Sequence, residues 1–434
     1  MLDIDLNKIE AKISAQDMTR DFGRISRVIG LVIESIGPQV SIGELCFIEG
    51  KKRIKAEVVG FDDNKVLMMP IGDMEGIRPG SKVIATGEKL KVKVGRELLG
   101  KILDGSGNIL NGEEIKKYSE VEVNQNPPDP LQRKRIKKPL SLGIRSIDGF
   151  LTCGRGQRLG IFAGSGVGKS TLLGMAARNT NADINVIGLI GERGREVRDF
   201  IERDLGEEGL QRSIVVVATS DQPALLRVKA ANITTAIAEY FRDQGEDVLL
   251  MMDSVTRVAM ALREVGLAVG EPPATRGYPP SVFAKLPKLL ERSGTNQTAS
   301  ITALYTVLVE GDDFNEPVAD TVRGILDGHI SLARELAESS HYPAVDILSS
   351  ISRIMKDMVS KEHIEAAEKL KKMIAVYNQS KDLIDIGAYQ KGTNPELDKA
   401  IAKISDINDF LTQGINEKAE YEKTLSRLKK LAAK

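Results

Sequence analysis

Residues Gln157 to Leu173 read QRLGIFAGSGVGKSTLL. Leu159 to Ala163 is an unbroken apolar run, as expected of a strand covered on both faces in a parallel sheet. It breaks into Gly164-Ser165-Gly166-Val167-Gly168, then Lys169, Ser170 and Thr171, and a helical pattern follows. Strand, glycine loop and helix start come in the order that a phosphate cradle requires. Glycines let backbone N–H groups turn inward without a Cβ in the way, and the helix N-terminus adds the positive end of its dipole. In that arrangement Lys169 reaches the β- and γ-phosphates, and the Ser170 hydroxyl is a Mg²⁺ ligand. The general pattern G-x-x-x-x-G-K-[ST] has Ala163 at its first glycine. That position ends the strand, where a small residue suffices. A glycine-rich turn beside a surface lysine would leave the register of strand, loop and helix unexplained. The stretch predicts a nucleoside triphosphate site.

Downstream, strand and helix alternate. Apolar runs at Ile184 to Ile190, Ile214 to Thr219, Val248 to Met252 and Ile301 to Val309 are separated by amphipathic stretches, including Gln222 to Gln244 and Ser281 to Ser293. This predicts a doubly wound parallel sheet with ligands at the carboxyl ends of its strands. Asp253 ends the run Val248 to Met252, where a carboxylate downstream of a P-loop supports Mg²⁺, usually through water. Gly191-Glu192-Arg193 follows the strand next after the P-loop helix. Phosphoryl transfer to water needs an acceptor that orients the attacking water, and a strand-end carboxylate suits that task. On spacing alone, a surface Glu in the charged loop GERGREVRD fits Glu192 equally well.

Upstream, the period changes from Arg24. Short β-rich runs at Val28 to Ile33, Glu44 to Ile48, Ile54 to Phe61, Lys65 to Met69 and Lys82 to Thr86 are punctuated by Gly, Pro, Asp and Asn. They predict a small closed β-barrel over 24–90. It lacks interleaved aromatics and basic clusters, so assembly suits it better than oligonucleotide binding. Within 1–23, Leu6, Ile9 and Ile13 fall at helical spacing. A helix packed on its own domain and a detachable docking helix fit equally, because so short a helix is marginal alone. Residues 92–112 read as a short helix and turns. The prolines of Asn126-Pro127-Pro128-Asp129-Pro130 forbid helix and interior strand, so this is a linker. The basic run Arg133-Lys134-Arg135 with Lys137-Lys138 reads as solvated linker. The stretch 91–140 joins the barrel to a core extending to 355, and 356–434 is helical. Ile364, Ala367, Leu370, Met373 and Tyr377 line one face there, and Ile415, Ala419, Leu425 and Leu428 another.

Composition sets the bounds. The chain has 434 residues, 61 basic and 61 acidic, so no net charge draws it toward nucleic acid or a membrane. Aromatics are 4% with no Trp, which leaves few platforms for stacking bases. Cys46 and Cys153 show neither disulfide nor metal spacing. The N-terminus lacks a signal-peptide pattern, and no apolar run approaches the roughly 18 residues that span a bilayer. The expectation is a soluble, intracellular protein.

The order of barrel, VGRELLG, LDGSGN, RSIDGFLTCGRGQRLGIFAGSGVGKS, GERGREV, LMMDSVTR, HYPAVDIL and SSISRIM resembles the hexameric rotary-ATPase family over nearly the whole chain. GERGREV, Ala163 and IGAYQKGTNPELDKAI are most similar to its type III export branch, in particular the flagellar one. The resemblance implies a RecA-type P-loop core between the barrel and a C-terminal helical domain, with ATP and Mg²⁺ bound. It implies that Lys169 and Ser170 bind phosphate and Mg²⁺, that Asp253 supports the metal, and that Glu192 is the catalytic carboxylate. Arg193 would fix the phosphate end, and Tyr342 would stack on adenine unless it is a packed tyrosine beside a proline turn. Arg353 would be the arginine finger of a neighbour's site; the rival reading is an intrachain salt bridge. Non-catalytic synthase subunits carry Gln at the Glu192 position, so a homohexamer could be catalytic at every interface.

For partners, the resemblance implies a stator-like regulatory protein at residues 1–16, a central coiled-coil stalk, the export gate and chaperone–substrate complexes. It implies a place at the cytoplasmic face of the inner membrane, with peripheral contact only and no nucleic acid. A virulence injectisome ATPase shares nearly the same motifs. A synthase subunit should carry an acidic D-E-L-type segment in 355–434, and none is present. A hexameric RNA translocase is disfavoured by neutral charge and the aromatic-poor barrel. A scaffold without turnover is disfavoured by Glu192.

Overall fold

The computed structural model describes residues 22–309 and 316–433. The segment carrying Leu6, Ile9 and Ile13 lies outside them. Six antiparallel strands close a barrel in the order Phe22–Ile29, Val32–Ile36, Lys65–Pro70, Ile54–Asp62, Glu44–Ile48, Lys82–Lys89. Phe22 opposite Ile84 completes the closure, which leaves no free sheet edge. The period-two pattern sorts the side chains. Val66 and Met68 point into the barrel with Ile33, Ile48 and Val83. Leu67 and Met69 point out into the hydrophobic core of the next domain. Val66 to Pro70 is apolar throughout because both faces of this strand are covered.

The central domain is built on a nine-stranded sheet. Its main path runs Val345–Ser352, Gly328–Leu332, Arg158–Ala163, Ser300–Leu308, Val248–Asp253, Ile184–Ile190, Ser213–Ala218, Ile102–Asp104. Along this path all pairs are parallel except the edge strand Val345–Ser352. The five strands expected from apolar runs are present to within a residue at each end. Their continuity has a direct cause: Val186 joins the hydrophobic cluster on one face and Ile187 the cluster on the other. Helices Ala224–Asp243 and Pro280–Glu291 occupy the two amphipathic stretches.

Three readings need correction. Val28 to Ile33 is not one run: Gly30 and Leu31 form the turn between strands Phe22–Ile29 and Val32–Ile36, so Ile29 pairs with Val32. Residues 92–112 are not a helix with turns. A single 3-10 turn, Arg96–Leu98, follows strand Lys91–Val94, which pairs with Ser119–Glu122, and precedes Ile102–Asp104, the last strand of the central sheet. Three residues are too few to show a period, and that strand is specified by its partner Ser213–Ala218. The basic run is also not wholly solvated. Arg133 Nη1 donates to the Ser293 carbonyl at 2.8 Å, and its guanidinium lies 3.4 Å from Glu291.

The chain ends in helices Lys361–Asp385, Pro395–Leu411 and Tyr421–Ala433. Ile415 and Ala419 lie in the loop before the last of these, and Ile415 is exposed. Thr424, Leu428 and Ala432 are what that helix buries. The helices dock on the short core helix Arg145–Phe150. Arg145 Nε donates to the Phe410 carbonyl at 2.9 Å, and His363 Nε2 lies 2.7 Å from the Gly149 carbonyl. Among the described residues no helix is long and apolar enough to cross a membrane.

Candidate active site

Strand Arg158–Ala163 ends at the glycine loop, and helix Lys169–Asn179 starts directly after it. Gly166 and Gly168 stand at φ +79° and +89°, backbone that glycine adopts without strain. No side chain caps the helix start, so its first N–H groups face the loop. Val167 is buried as a packing residue, while Gly164, Ser165 and Gly166 line the loop.

Lys169, Glu192 and Asp253 converge from three elements at the carboxyl ends of their strands. Lys169 Nζ forms an ion pair with Asp253 Oδ1 and lies 3.6 Å from Glu192 Oε1. Thr306 from the neighbouring strand donates to Asp253 Oδ1 at 2.7 Å. Glu192 is buried, and burial followed by the nearby Asp253 charge pushes its carboxyl up to about 7 against the pull of Lys169. A carboxyl in that range is matched to taking a proton from water near neutral pH.

Arg257, which the sequence reading did not single out, stands on Glu192: its Nε lies 3.4 Å from Glu192 Oε1. It lies on helix Val255–Ala268, one turn past Asp253, whose cap Ser254 accepts from Arg257 N. The approach depends on Gly191, where a Cβ would sit 2.7 Å from Arg257 Cδ. Arg193 is placed differently. It is the N-cap residue of helix Gly194–Asp199, with its side chain 77% exposed and 3.6 Å from Glu196.

Tyr342 lies over the loop: a Cβ on Gly168 would stand 3.6 Å from its ring. The ring is 43% exposed and forms one wall of a cleft of about 550 Å³. Gly166, Gly168 and Met175 line one side of the cleft, and Gln413 and Ile415 of the C-terminal domain close the other. Gln413 N donates to the Tyr342 carbonyl at 2.9 Å, fixing that wall in place. Arg353 does not join the cluster. It follows the antiparallel edge strand, whose Ser352 is opposite Gly328 at the start of the neighbouring strand. That puts Arg353 at the end of the sheet opposite the P-loop. It is exposed, with Nη2 3.5 Å from the Arg323 carbonyl, and among the described residues it has no acid partner.

Comparison with known proteins bears directly on this geometry. The profile of the ATP synthase alpha/beta family nucleotide-binding domain fits residues 143–352, and that of the family's β-barrel domain fits 25–87. The C-terminal domain profile of the type III secretion ATPase EscN fits 359–430. The chain is 58% identical to the flagellum-specific ATP synthase of Bacillus subtilis over 424 residues, covering 96% of this chain and 97% of that one. It is 49% identical to the type 3 secretion system ATPase of Xanthomonas euvesicatoria, over 97% and 96% of the two chains. The assembled ATPase EscN of enteropathogenic E. coli superposes with a TM-score of 0.90 at 49% identity, over 94% of this chain and all of that one. The chain belongs to the ATP synthase alpha/beta family, among its type III secretion ATPases.

In an ATPase of this family the donor set fits Mg²⁺ carried by a nucleotide. Ser170 and Asp253 offer hard oxygens, and the buried Glu192 Oε1 has no hydrogen-bond partner. Among the described residues no three His, Cys, Asp or Glu side chains form a metal cage of their own. Mg²⁺ bound through one or two protein oxygens plus phosphates needs none. The wall formed by Gln413 and Ile415 could not be found from spacing, because it comes from another domain. Arg257 could: an arginine four residues past a strand-end Asp, on a helix opened by Ser254, must point back toward the strand ends.

Proposed function

We propose that this chain is the ATP-hydrolysing motor of a flagellar type III protein export apparatus, working as a homohexamer that releases and delivers export substrates. The observation that carries the reading is the division of the site. Lys169, Glu192 and Asp253 converge at one end of the sheet, and Arg353, without an acid partner among the described residues, stands at the other. A ring of copies would bring Arg353 to a neighbour's phosphates.

In this mechanism the loop N–H groups and Lys169 hold the phosphates, and the Tyr342 ring packs against the base. Ser170 and Asp253 would hold Mg²⁺, which when bound offsets phosphate charge. Glu192 orients the attacking water and takes its proton. Arg353 of the next copy brings a planar fork to charge spread over the phosphoryl oxygens. Arg193, at the mouth of the site, would act on the phosphate end only when a neighbour or nucleotide turns it inward.

The flagellar assignment is supported by relatives named flagellum-specific ATP synthase, at 58% identity in Bacillus subtilis and 51% in Pseudomonas aeruginosa. The ring is supported by the likeness to the assembled EscN, and a central stalk partner by the likeness to EscN in complex with its stalk EscO. In the same reading residues 1–16 dock a stator-like regulator, and the export gate and chaperone–substrate complexes are further partners. The chain works in the cytoplasm, peripherally at the inner membrane. The injectisome reading is the second one, favoured by the same likeness to EscN.

The test is ATP hydrolysis across protein concentration for wild type, Glu192→Gln and Arg353→Ala, alone and mixed. Two inactive variants, activity rising cooperatively with concentration and partial rescue on mixing are expected. Concentration-independent activity with Arg353→Ala unaffected would end the ring reading.

A further inference from the structure

The run Ile301 to Val309 is apolar except for two threonines. Thr302 stands at its entry, where its hydroxyl accepts from Gly156 N at 2.8 Å and holds the turn before the P-loop strand. Thr306, four residues on and fully buried, lies toward the carboxyl end, between the P-loop strand and the strand that ends in Asp253. Ala303, Tyr305 and Val307 point into one hydrophobic cluster, while Leu304 joins the other, with Leu172 and Leu173 of the P-loop helix. Period two puts Thr306 on the same side as Leu304, toward that helix. Two oxygens are in reach of its hydroxyl there, Asp253 Oδ1 at 2.7 Å and the Met252 carbonyl at 3.2 Å. A hydroxyl has one proton to give, and the shorter bond to a carboxylate takes it. The carbonyl alone would satisfy a buried hydroxyl, so packing does not require the contact with Asp253.

The cation on Asp253 is Lys169, which also meets Oδ1, so neither contact uses Oδ2. The two contacts differ in permanence. Lys169 sits on a long flexible stem and also serves the phosphates, so a bound nucleotide draws it from Asp253. Thr306 has no such freedom, because its strand is paired on both sides, with Ile161 opposite Thr306 in the P-loop strand. A second clasp fixes the same junction: Leu308 N donates at 2.9 Å to the Thr256 hydroxyl, on the helix that follows Asp253. We propose that Thr306 is a positioning residue for Asp253, anchoring Oδ1 so that the carboxylate stays turned to the Mg²⁺ of the nucleotide when Lys169 moves to the phosphates. Thr306 acts only through Asp253, and the proposal rests on the reading of Asp253 as the carboxylate that supports Mg²⁺.

The experiment measures equilibrium binding of a fluorescent ATP analogue to full-length wild type, Thr306→Val and Thr306→Ser, in excess Mg²⁺ and in EDTA. The Mg²⁺ concentration giving half-maximal ATP hydrolysis is measured alongside. Thr306→Val keeps the shape of the side chain and removes the hydroxyl. It is expected to bind the analogue as wild type does in EDTA, and about tenfold more weakly in Mg²⁺, as for loss of a group that orients a metal ligand. The half-maximal Mg²⁺ concentration should rise by a similar factor, and Thr306→Ser should restore both. Should Thr306→Val not fold, Thr306→Ala against Thr306→Ser makes the same comparison, since that pair differs only by the hydroxyl. Wild-type Mg²⁺ dependence in the variant without the hydroxyl overturns the proposal. So does equal weakening in Mg²⁺ and EDTA, which is what a merely structural role would give, or a Thr306→Ser variant no better than Thr306→Val. Asp253→Asn binding with wild-type Mg²⁺ dependence would instead overturn the reading of Asp253 itself, so the two failures are distinguishable.

Discussion

Glu192 and Tyr342 carry the residue-scale predictions. The Glu192 carboxyl is raised to about 7, so its acceptor form is lost as pH falls through 7 and is complete above it. kcat/KM, which reports the free enzyme, should therefore be flat above about pH 8 and fall about tenfold per unit below about pH 6. A profile flat down to about pH 5 would separate Glu192 from the proton-accepting role. For Tyr342, loss of base stacking is worth about 1–3 kcal/mol. Tyr342→Ala should weaken ATP binding accordingly, while Tyr342→Phe keeps it; equilibrium titration with a fluorescent nucleotide decides. Legibility at this scale was uneven. Lys169 and Asp253 could be read because each ends or follows an apolar strand, and the fold brings such ends together; spacing alone left Glu192 open, and only the family resemblance singled it out. Arg193 follows Glu192 in sequence, yet as an N-cap residue its side chain turns outward. Arg257, distant in sequence, takes the place against Glu192 through the space that Gly191 leaves.

Among elements, the P-loop helix shows how packing overrides local propensity. Gly174 lies in the interior of Lys169–Asn179, where replacement by Ala would ordinarily stabilise by about 1 kcal/mol. Here a Cβ on Gly174 would stand 2.5 Å from the Asp204 carbonyl oxygen, in the π-helical turn Phe200–Leu205. Backbone cannot yield as a side-chain tip can, and overpacking costs about 1–3 kcal/mol. Gly174→Ala should therefore lower stability in chemical denaturation and, by displacing the helix that carries Lys169 and Ser170, lower kcat as well. An increase in stability would mean that the π-helical turn moves freely. The same contrast explains which elements the sequence revealed. The core strands that read as unbroken apolar runs were found, whereas Gly328–Leu332, equally enclosed in the sheet, was not, because His329 and Ser331 interrupt its run. Ile102–Asp104 and Lys91–Val94 are three and four residues long and exist because a partner strand is waiting, which no local pattern encodes.

Across the molecule, the order barrel, sheet, helices follows from changes of hydrophobic period, but the joints between these parts do not, since they are single contacts between distant residues. The barrel is joined to the central domain by an extension of the hydrophobic core through Leu67 and Met69, and by one buried ion pair. Lys229 Nζ on helix Ala224–Asp243 donates to Glu57 Oε1 on barrel strand Ile54–Asp62 at 2.7 Å, with both side chains almost fully buried. Removing one partner leaves the other as an unpaired buried charge, which costs about 3–5 kcal/mol. Replacing both by apolar residues of similar size is close to neutral. Lys229→Met and Glu57→Leu should therefore each lower the thermal midpoint, while the double variant returns near wild type. The double variant should also keep ATP hydrolysis, because neither residue touches the nucleotide cleft. If both single variants and the double variant fall equally, the two residues do not act as a pair. The barrel would then be held by Leu67, Met69 and their apolar neighbours, with no contribution from this buried ion pair.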